Sequence, residues 1–209
     1  MRKLSLVLSL FALVLSSSIA RAQAGHEYSP LAEKTVNYKN WSLPNLTTQV
    51  NEDLRKVIAG KKLVMVVYFA PWCGNWRNEA PIAAKLYEKY KAQGFQVIGV
   101  SEYAPSTDTF NYFGLKDPPY PVFVESESRD DKQKTAHYGY RQLTGDTRNW
   151  GSPWNIFLEP DKLNKNGEVL TEKAFVVNGE LIEEEVDKFI ASKLGVTTTT
   201  AAVIEPCKN

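Results

Sequence analysis

The sequence predicts an α/β domain, and three observations carry that prediction. Leu63-Val64-Met65-Val66-Val67-Tyr68-Phe69 is apolar on both faces, the pattern of a strand buried in the middle of a sheet. A helical stretch and a second apolar run, Phe95-Gln96-Val97-Ile98-Gly99-Val100, follow it. Strand, helix and strand then make a βαβ unit with parallel strands. Further on, Trp154–Leu158 and Lys173–Val177 read as two more strands. Leu181–Leu194 reads as a closing helix, with Leu181, Ile182, Val186, Phe189, Ile190 and Leu194 on one side.

From the N-terminus, Arg2 and Lys3 precede the apolar run Leu4–Leu15, the form of a secretory leader. That run falls short of the roughly 20 apolar residues that span a bilayer. Ala20-Arg21-Ala22 and Ala22-Gln23-Ala24 offer small-residue cleavage sites, so the mature chain is expected to start at Gln23 or Gly25. Residues 25–47 are polar with scattered aromatics and read as an extended arm, with a short strand at Val36–Trp41. The folded domain is placed at 48–195, and a threonine-rich, low-complexity tail at 196–209.

Within the domain, Val50, Leu54, Val57 and Ile58 predict a short amphipathic helix over Val50–Ala59, ended by Gly60. The helix after the first buried strand should run from Gly74 to Gln93. Ile82, Ala83, Leu86, Tyr87 and Tyr90 form its apolar stripe, Pro81 should kink it and Gly94 stops it. Asp108–Leu115 reads as a short helix, Asp117–Pro121 as a stiff turn and Val122–Val124 as a short strand. Asp130–Leu143 has a weak helical period, residues 144–152 read as a loop, and Asn178-Gly179-Glu180 reads as a turn.

Composition excludes several functions. Without the leader, 22 basic residues face 24 acidic ones, a net charge of −2. That balance gives no electrostatic reason to expect nucleic acid or an anionic membrane as partner. The two histidines, His26 and His137, lie far apart in sequence and only two cysteines exist, so no metal site is expected. Both histidines read as surface residues. There is no glycine-rich phosphate loop, and no cofactor is expected. About 185 residues remain after the leader, enough for one core. The leader places them outside the cytoplasm, in a bacterial periplasm, where thiols tend to oxidise.

The chemistry concentrates in three segments. Tyr68-Phe69-Ala70-Pro71-Trp72-Cys73-Gly74 sets a thiol at a strand-to-helix turn. Arg77-Asn78-Glu79-Ala80-Pro81 lies on the following helix, and Gly151-Ser152-Pro153-Trp154 precedes a later strand. Together with Lys89–Val100, these segments resemble the thioredoxin-like superfamily, and most closely its secreted TlpA/ResA branch, over roughly Val36–Leu194. The resemblance implies a central mixed β-sheet flanked by helices on both faces. It implies thiol-disulfide exchange on protein or small-molecule disulfides, with Cys73 as the nucleophile and a cis Pro153 facing it. Trp72, Gly74, Trp76, Arg77, Glu79 and Pro153 would be its surroundings. Peroxidatic chemistry of the P-x-x-x-[ST]-x-x-C type is not read, because Val66 and Ala70 stand where Pro and Ser or Thr would be needed.

The chain departs from the family at one position: Trp76 stands where a second cysteine would be. A helix start favours the thiolate of Cys73, Arg77 one turn on adds positive charge, and Trp72 offers a stacking surface for a peptide. Trp76 is expected to cover the helix and pack near Pro153. Glu79 follows the family pattern for proton transfer near the thiol, although as a residue it reads as a solvated helix charge. Trp76 cannot resolve a mixed disulfide. Resolution would fall to a small external thiol, a thiol of the substrate or Cys207, whose tail of some 15 residues spans roughly 20 Å as a flexible chain. Cys207 also reads as an incidental terminal residue or half of a structural bridge. The competing reading is a redox-inert binding or scaffold domain that uses a groove around Trp72, Trp76 and Pro153. The aromatic segment Tyr138–Trp154 reads equally as a substrate wall and as core packing.

Overall fold

The computed structural model describes residues 25–197. The leader, most of the threonine-rich tail and Cys207 lie outside the described residues. In chain order the elements are β1 (Tyr28–Ser29), β2 (Ala32–Lys39), β3 (Ser42–Pro44), β4 (Asn51–Asp53), α1 (Leu54–Val57), β5 (Leu63–Phe69) and α2 (Gly74–Tyr90). There follow β6 (Phe95–Ser101), α3 (Ser106–Tyr112), β7 (Val122–Val124), α4 (Ala136–Thr144), β8 (Trp154–Leu158), β9 (Val169–Val177), β10 (Glu180–Leu181) and α5 (Glu183–Leu194).

A six-stranded mixed sheet runs in the order β2-β9-β8-β5-β6-β7. The βαβ expectation holds: β5 and β6 pair in parallel, Leu63 opposite Phe95 through Phe69 opposite Ser101. β7 continues the parallel half, while β8, β9 and β2 add antiparallel strands on the other side of β5. Alternate side chains of β5 enter opposite cores. Met65, Val67 and Phe69 pack with Leu86 of α2 and Val186 and Ile190 of α5. Val64, Val66 and Tyr68 pack with Tyr140 of α4 and Val36 and Tyr38 of β2. Both faces are covered, which is why the strand carries no polar alternation.

The N-terminal segment differs from the expected arm. β2 is eight residues long and pairs antiparallel with β9 as an edge of the main sheet, and β1 pairs in parallel with β10. The helix expected over Val50–Ala59 shrinks to α1. Asn51–Asp53 pairs with β3 instead, Val50 is 62% exposed, and the Asp53 side chain caps α1 by accepting from the Lys56 amide. Asp130–Leu143 divides at Thr135 into a 3₁₀ turn and α4, because the Thr135 hydroxyl accepts from the Tyr138 amide and starts a new helix there. α3 starts two residues earlier and ends three residues earlier than expected, at Tyr112, and Leu115 beyond it is 68% exposed. Glu180 and Leu181 belong to β10 rather than to a turn and a helix start. Pro81 lies inside α2, which ends in a short 3₁₀ turn and Gly94 at φ 99°, where a residue with a side chain would be strained.

Candidate active site

The end of β5, the start of α2 and the loop before β8 meet at Cys73. Cys73 is the N-cap of α2 in extended backbone conformation, so the helix's first free amides lie beside it. Its side chain is half-buried. Its Sγ donates to the Ser152 carbonyl at 3.1 Å, and the Ser152 hydroxyl accepts from the Ala70 amide at 2.9 Å. The Ser152–Pro153 bond is cis, and Pro153 is buried. The two segments singled out for chemistry are thus held together by one side-chain and one backbone contact. A Cβ at Gly74 would meet nothing within 4 Å, so the chain faces open space at the residue after the thiol.

Trp72 is placed differently from the free stacking surface expected of it. Its indole N–H donates to the Tyr103 carbonyl at 3.1 Å, Trp150 meets it edge-on at 5.3 Å, and the Arg129 guanidinium lies 4.1 Å from its ring centre. The cation is held there by the ring's quadrupole and covers one face of the indole. Arg77 is exposed and lines a cavity of about 360 Å³ with Pro71, Trp72, Asp108, Asn111 and Tyr112.

Trp76 is fully buried. Its ring stacks on Phe69 at 4.3 Å and lies 6.2 Å from Tyr112. The position of the family's second cysteine is here part of the core, so Trp76 forms no wall of a surface groove. Glu79, read as a solvated charge, is fully buried as well. One carboxyl oxygen accepts from the Leu181 amide at 2.8 Å and from the Asn155 amide group at 3.3 Å, and the other has no partner. Burial pushes its pKa up to about 8, so it is a neutral acid at pH 7.

His137 also departs from the surface reading. It is fully buried, its Nδ1 lies 3.0 Å from the Tyr103 hydroxyl, and its ring stacks on Tyr68 at 5.0 Å. Desolvation holds it neutral, well below the usual imidazole range. His26 pairs with Glu180 at 2.8 Å. The aromatic segment splits: Tyr140 and Trp154 are core, while Trp150 stands beside Trp72. Among the described residues no group of three or more His, Cys, Asp or Glu is placed to hold a metal ion.

Sequence reasoning missed Arg129, Tyr103 and the linked trio Arg141, Asp146 and Arg148, of which the first two are buried. It also missed Glu102, a second fully buried carboxyl, which accepts from the Ser126 hydroxyl at 2.7 Å and which burial pushes up. Polar residues in a polar stretch give no local sign of burial. Glu79 did give one, since it extends the buried stripe Trp76, Ala83, Leu86 and Tyr90 of α2.

Comparison with known proteins agrees with this geometry. A stretch of 105 residues is 30% identical to "Probable protein disulfide-isomerase A4" of Caenorhabditis elegans, covering 50% of this chain and 15% of that one. A stretch of 154 residues is 27% identical to "Probable phospholipid hydroperoxide glutathione peroxidase 6, mitochondrial" of Arabidopsis thaliana, covering 65% and 60%. The chain thus spans less than two thirds of either relative. The crystal structure of a thiol:disulfide interchange protein of the thioredoxin family from Chlorobium tepidum superposes with a TM-score of 0.54 at 20% identity, over 81% of this chain and 98% of that one, which shows a shared thioredoxin-like fold. The family model described as Redoxin matches residues 35–180, from β2 to β10 and across every segment of the site, and the chain belongs to that family.

Proposed function

We propose that the protein is an extracytoplasmic monothiol thiol-disulfide oxidoreductase with Cys73 as its nucleophile. One observation carries the reading: Cys73 stands half-buried at the N-cap position of α2 with its Sγ 3.1 Å from the Ser152 carbonyl of the Gly151–Pro153 loop. The helix start favours the thiolate, and the loop beside it leaves an extended disulfide substrate a backbone to lie against. The Cys73 thiolate attacks one sulfur of a protein or small-molecule disulfide and forms a mixed disulfide. The other sulfur leaves as a thiolate and takes up a proton. A second thiol then attacks the mixed disulfide and frees Cys73.

With Trp76 in the core, that second thiol comes from the substrate, from a small external thiol or from Cys207. Glu79, neutral at pH 7 on the buried side of α2, is the acid this reading assigns to proton return. The leader at residues 1–24 supports a periplasmic location. No described helix is long and apolar enough to cross a membrane. The competing redox-inert binding reading loses support because Trp76, one wall of its groove, is buried in the core.

Thiol trapping tests the proposal. Cys73 should alkylate near pH 7 faster than free cysteine, and Cys73→Ser should reduce disulfide exchange to background. A wild-type thiol no faster than free cysteine, with Cys73→Ser losing nothing, would overturn it. A mixed disulfide trapped from the native compartment would identify the partner, and Cys207→Ser with unchanged turnover would remove Cys207 as the resolving thiol.

A further inference from the structure

Three charged side chains lie behind the loop that faces Cys73, Arg141 and Asp146 buried and Arg148 half-buried. Arg141 projects from α4 and is 1% exposed. Its Nε donates to Asp146 Oδ2 at 3.0 Å, and its Nη2 donates to the Arg148 carbonyl. Asp146 also accepts from the Arg148 amide and Nε at 3.0 Å and from its Nη2 at 2.8 Å. The same Nη2 donates to the Pro153 carbonyl at 2.8 Å, while Nη1 reaches Glu27 at 3.2 Å. Gly151, at φ 59°, lies so close against the Arg141 guanidinium that a Cβ there would collide with Nε. The loop is therefore hydrogen-bonded after Ser152, by Arg148 at Pro153, and packed before it against the Arg141 guanidinium at Gly151.

The rest of this face of α4 works in the same direction. His137, one turn before Arg141, meets the Tyr103 hydroxyl, and the Tyr103 carbonyl takes the Trp72 N–H. Thr144, the next buried position, donates to Asn178 at 3.0 Å. Stability does not by itself call for a buried Arg141–Asp146 pair, since well-packed apolar residues often serve as well. What apolar residues cannot do is grip two backbone carbonyls.

We propose that Arg141, Asp146 and Arg148 are positioning residues that fix the Ser152 carbonyl on the Cys73 thiol and so set its reactivity and its grip on substrate. This rests on the reading of Cys73 as the reacting thiol. The sign follows from the contact. A carbonyl oxygen at 3.1 Å accepts from the thiol but repels the thiolate. Loosening the loop therefore favours the thiolate while it weakens the surface against which a substrate binds.

Arg141→Lys and Arg148→Lys keep the charge but lose the planar fork. With iodoacetamide at pH 7, alkylation of Cys73 should accelerate about threefold in both variants, with the midpoint of the pH profile moved to lower pH. With an aromatic disulfide as substrate, KM should rise several-fold while kcat changes little. A lowered melting temperature with pH profile and KM matching wild type would overturn the proposal, as would both variants failing to fold. Arg148, with 17% of its side chain exposed, is the milder of the two and decides the matter alone if Arg141→Lys unfolds. A wild-type protein that does not turn the disulfide over would instead count against the oxidoreductase reading, and the alkylation profiles would still read the loop.

Discussion

Glu79 and Trp76 share the buried stripe of α2, and together they define what the lone thiol has around it. Cys73 and Pro153 were legible as residues because their neighbours form recognisable strings. Glu79 was not, because a charged residue on an amphipathic helix is ordinarily solvated, and only its spacing from Trp76 and Ala83 placed it inward. Its burial has a measurable consequence. In the unfolded chain the carboxyl ionises near 4.5, whereas in the folded protein it keeps its proton to about 8. Between those values the folded state holds the extra proton, so this group's contribution to stability falls as pH rises, by about 1.4 kcal/mol per unit, and levels off above 8. Glu79→Gln keeps an acceptor for Leu181 and cannot ionise. Its stability relative to wild type in urea should therefore increase steadily from pH 5 to 8. A constant difference across that range would show that Glu79 is ionised at neutral pH.

At the scale of elements, legibility followed how much apolar surface each one buries. β5 and β6 bury every residue and were read with their boundaries nearly intact. α4 buries His137, Tyr140, Arg141 and Thr144 along one face, three polar side chains beside one aromatic, so that face carries little apolar surface. β2 is an edge strand that buries only Val36 and Tyr38, and a register shift between Thr35 and Tyr38, with Asn37 at φ 48°, interrupts its alternation. Its docking instead depends on a polar point. The Tyr38 hydroxyl lies 2.9 Å from that of Tyr68 and accepts the Trp41 N–H at 3.0 Å. Tyr38→Phe leaves Trp41 and Tyr68 without that partner inside the core. Urea unfolding should show a loss of about 1–3 kcal/mol. A loss below about 0.5 kcal/mol, the lower end for one hydrogen bond, would mean that the pair contributes little to holding β2.

For the whole molecule, the parallel half of the sheet was readable because its strands follow one another through a helix, and a βαβ crossover leaves few arrangements. The antiparallel half was not, because β2 and β9 lie far apart in sequence and no local pattern announces their pairing. The practical difference concerns where the domain begins. An arm at 25–47 would be dispensable. In the structure these residues supply the edge strand over β9, the β1 partner of β10, and Trp41, which packs on Phe123 at 5.1 Å. A chain of residues 48–197 would leave the backbone of β9 unpaired along one side, a template for association with other chains, and would open the core formed by Val36, Tyr38 and β8. Residues 25–197 should unfold in one cooperative thermal transition and remain monodisperse. Residues 48–197 should lose that transition and associate at the same concentration, as read by calorimetry and light scattering. Equal melting temperatures for the two chains would restore the arm reading. Because the Gly151–Pro153 loop is tied through Arg148 to Glu27, the shorter chain should also alkylate faster at Cys73, in the direction expected for Arg148→Lys, which links the N-terminal segment to the site.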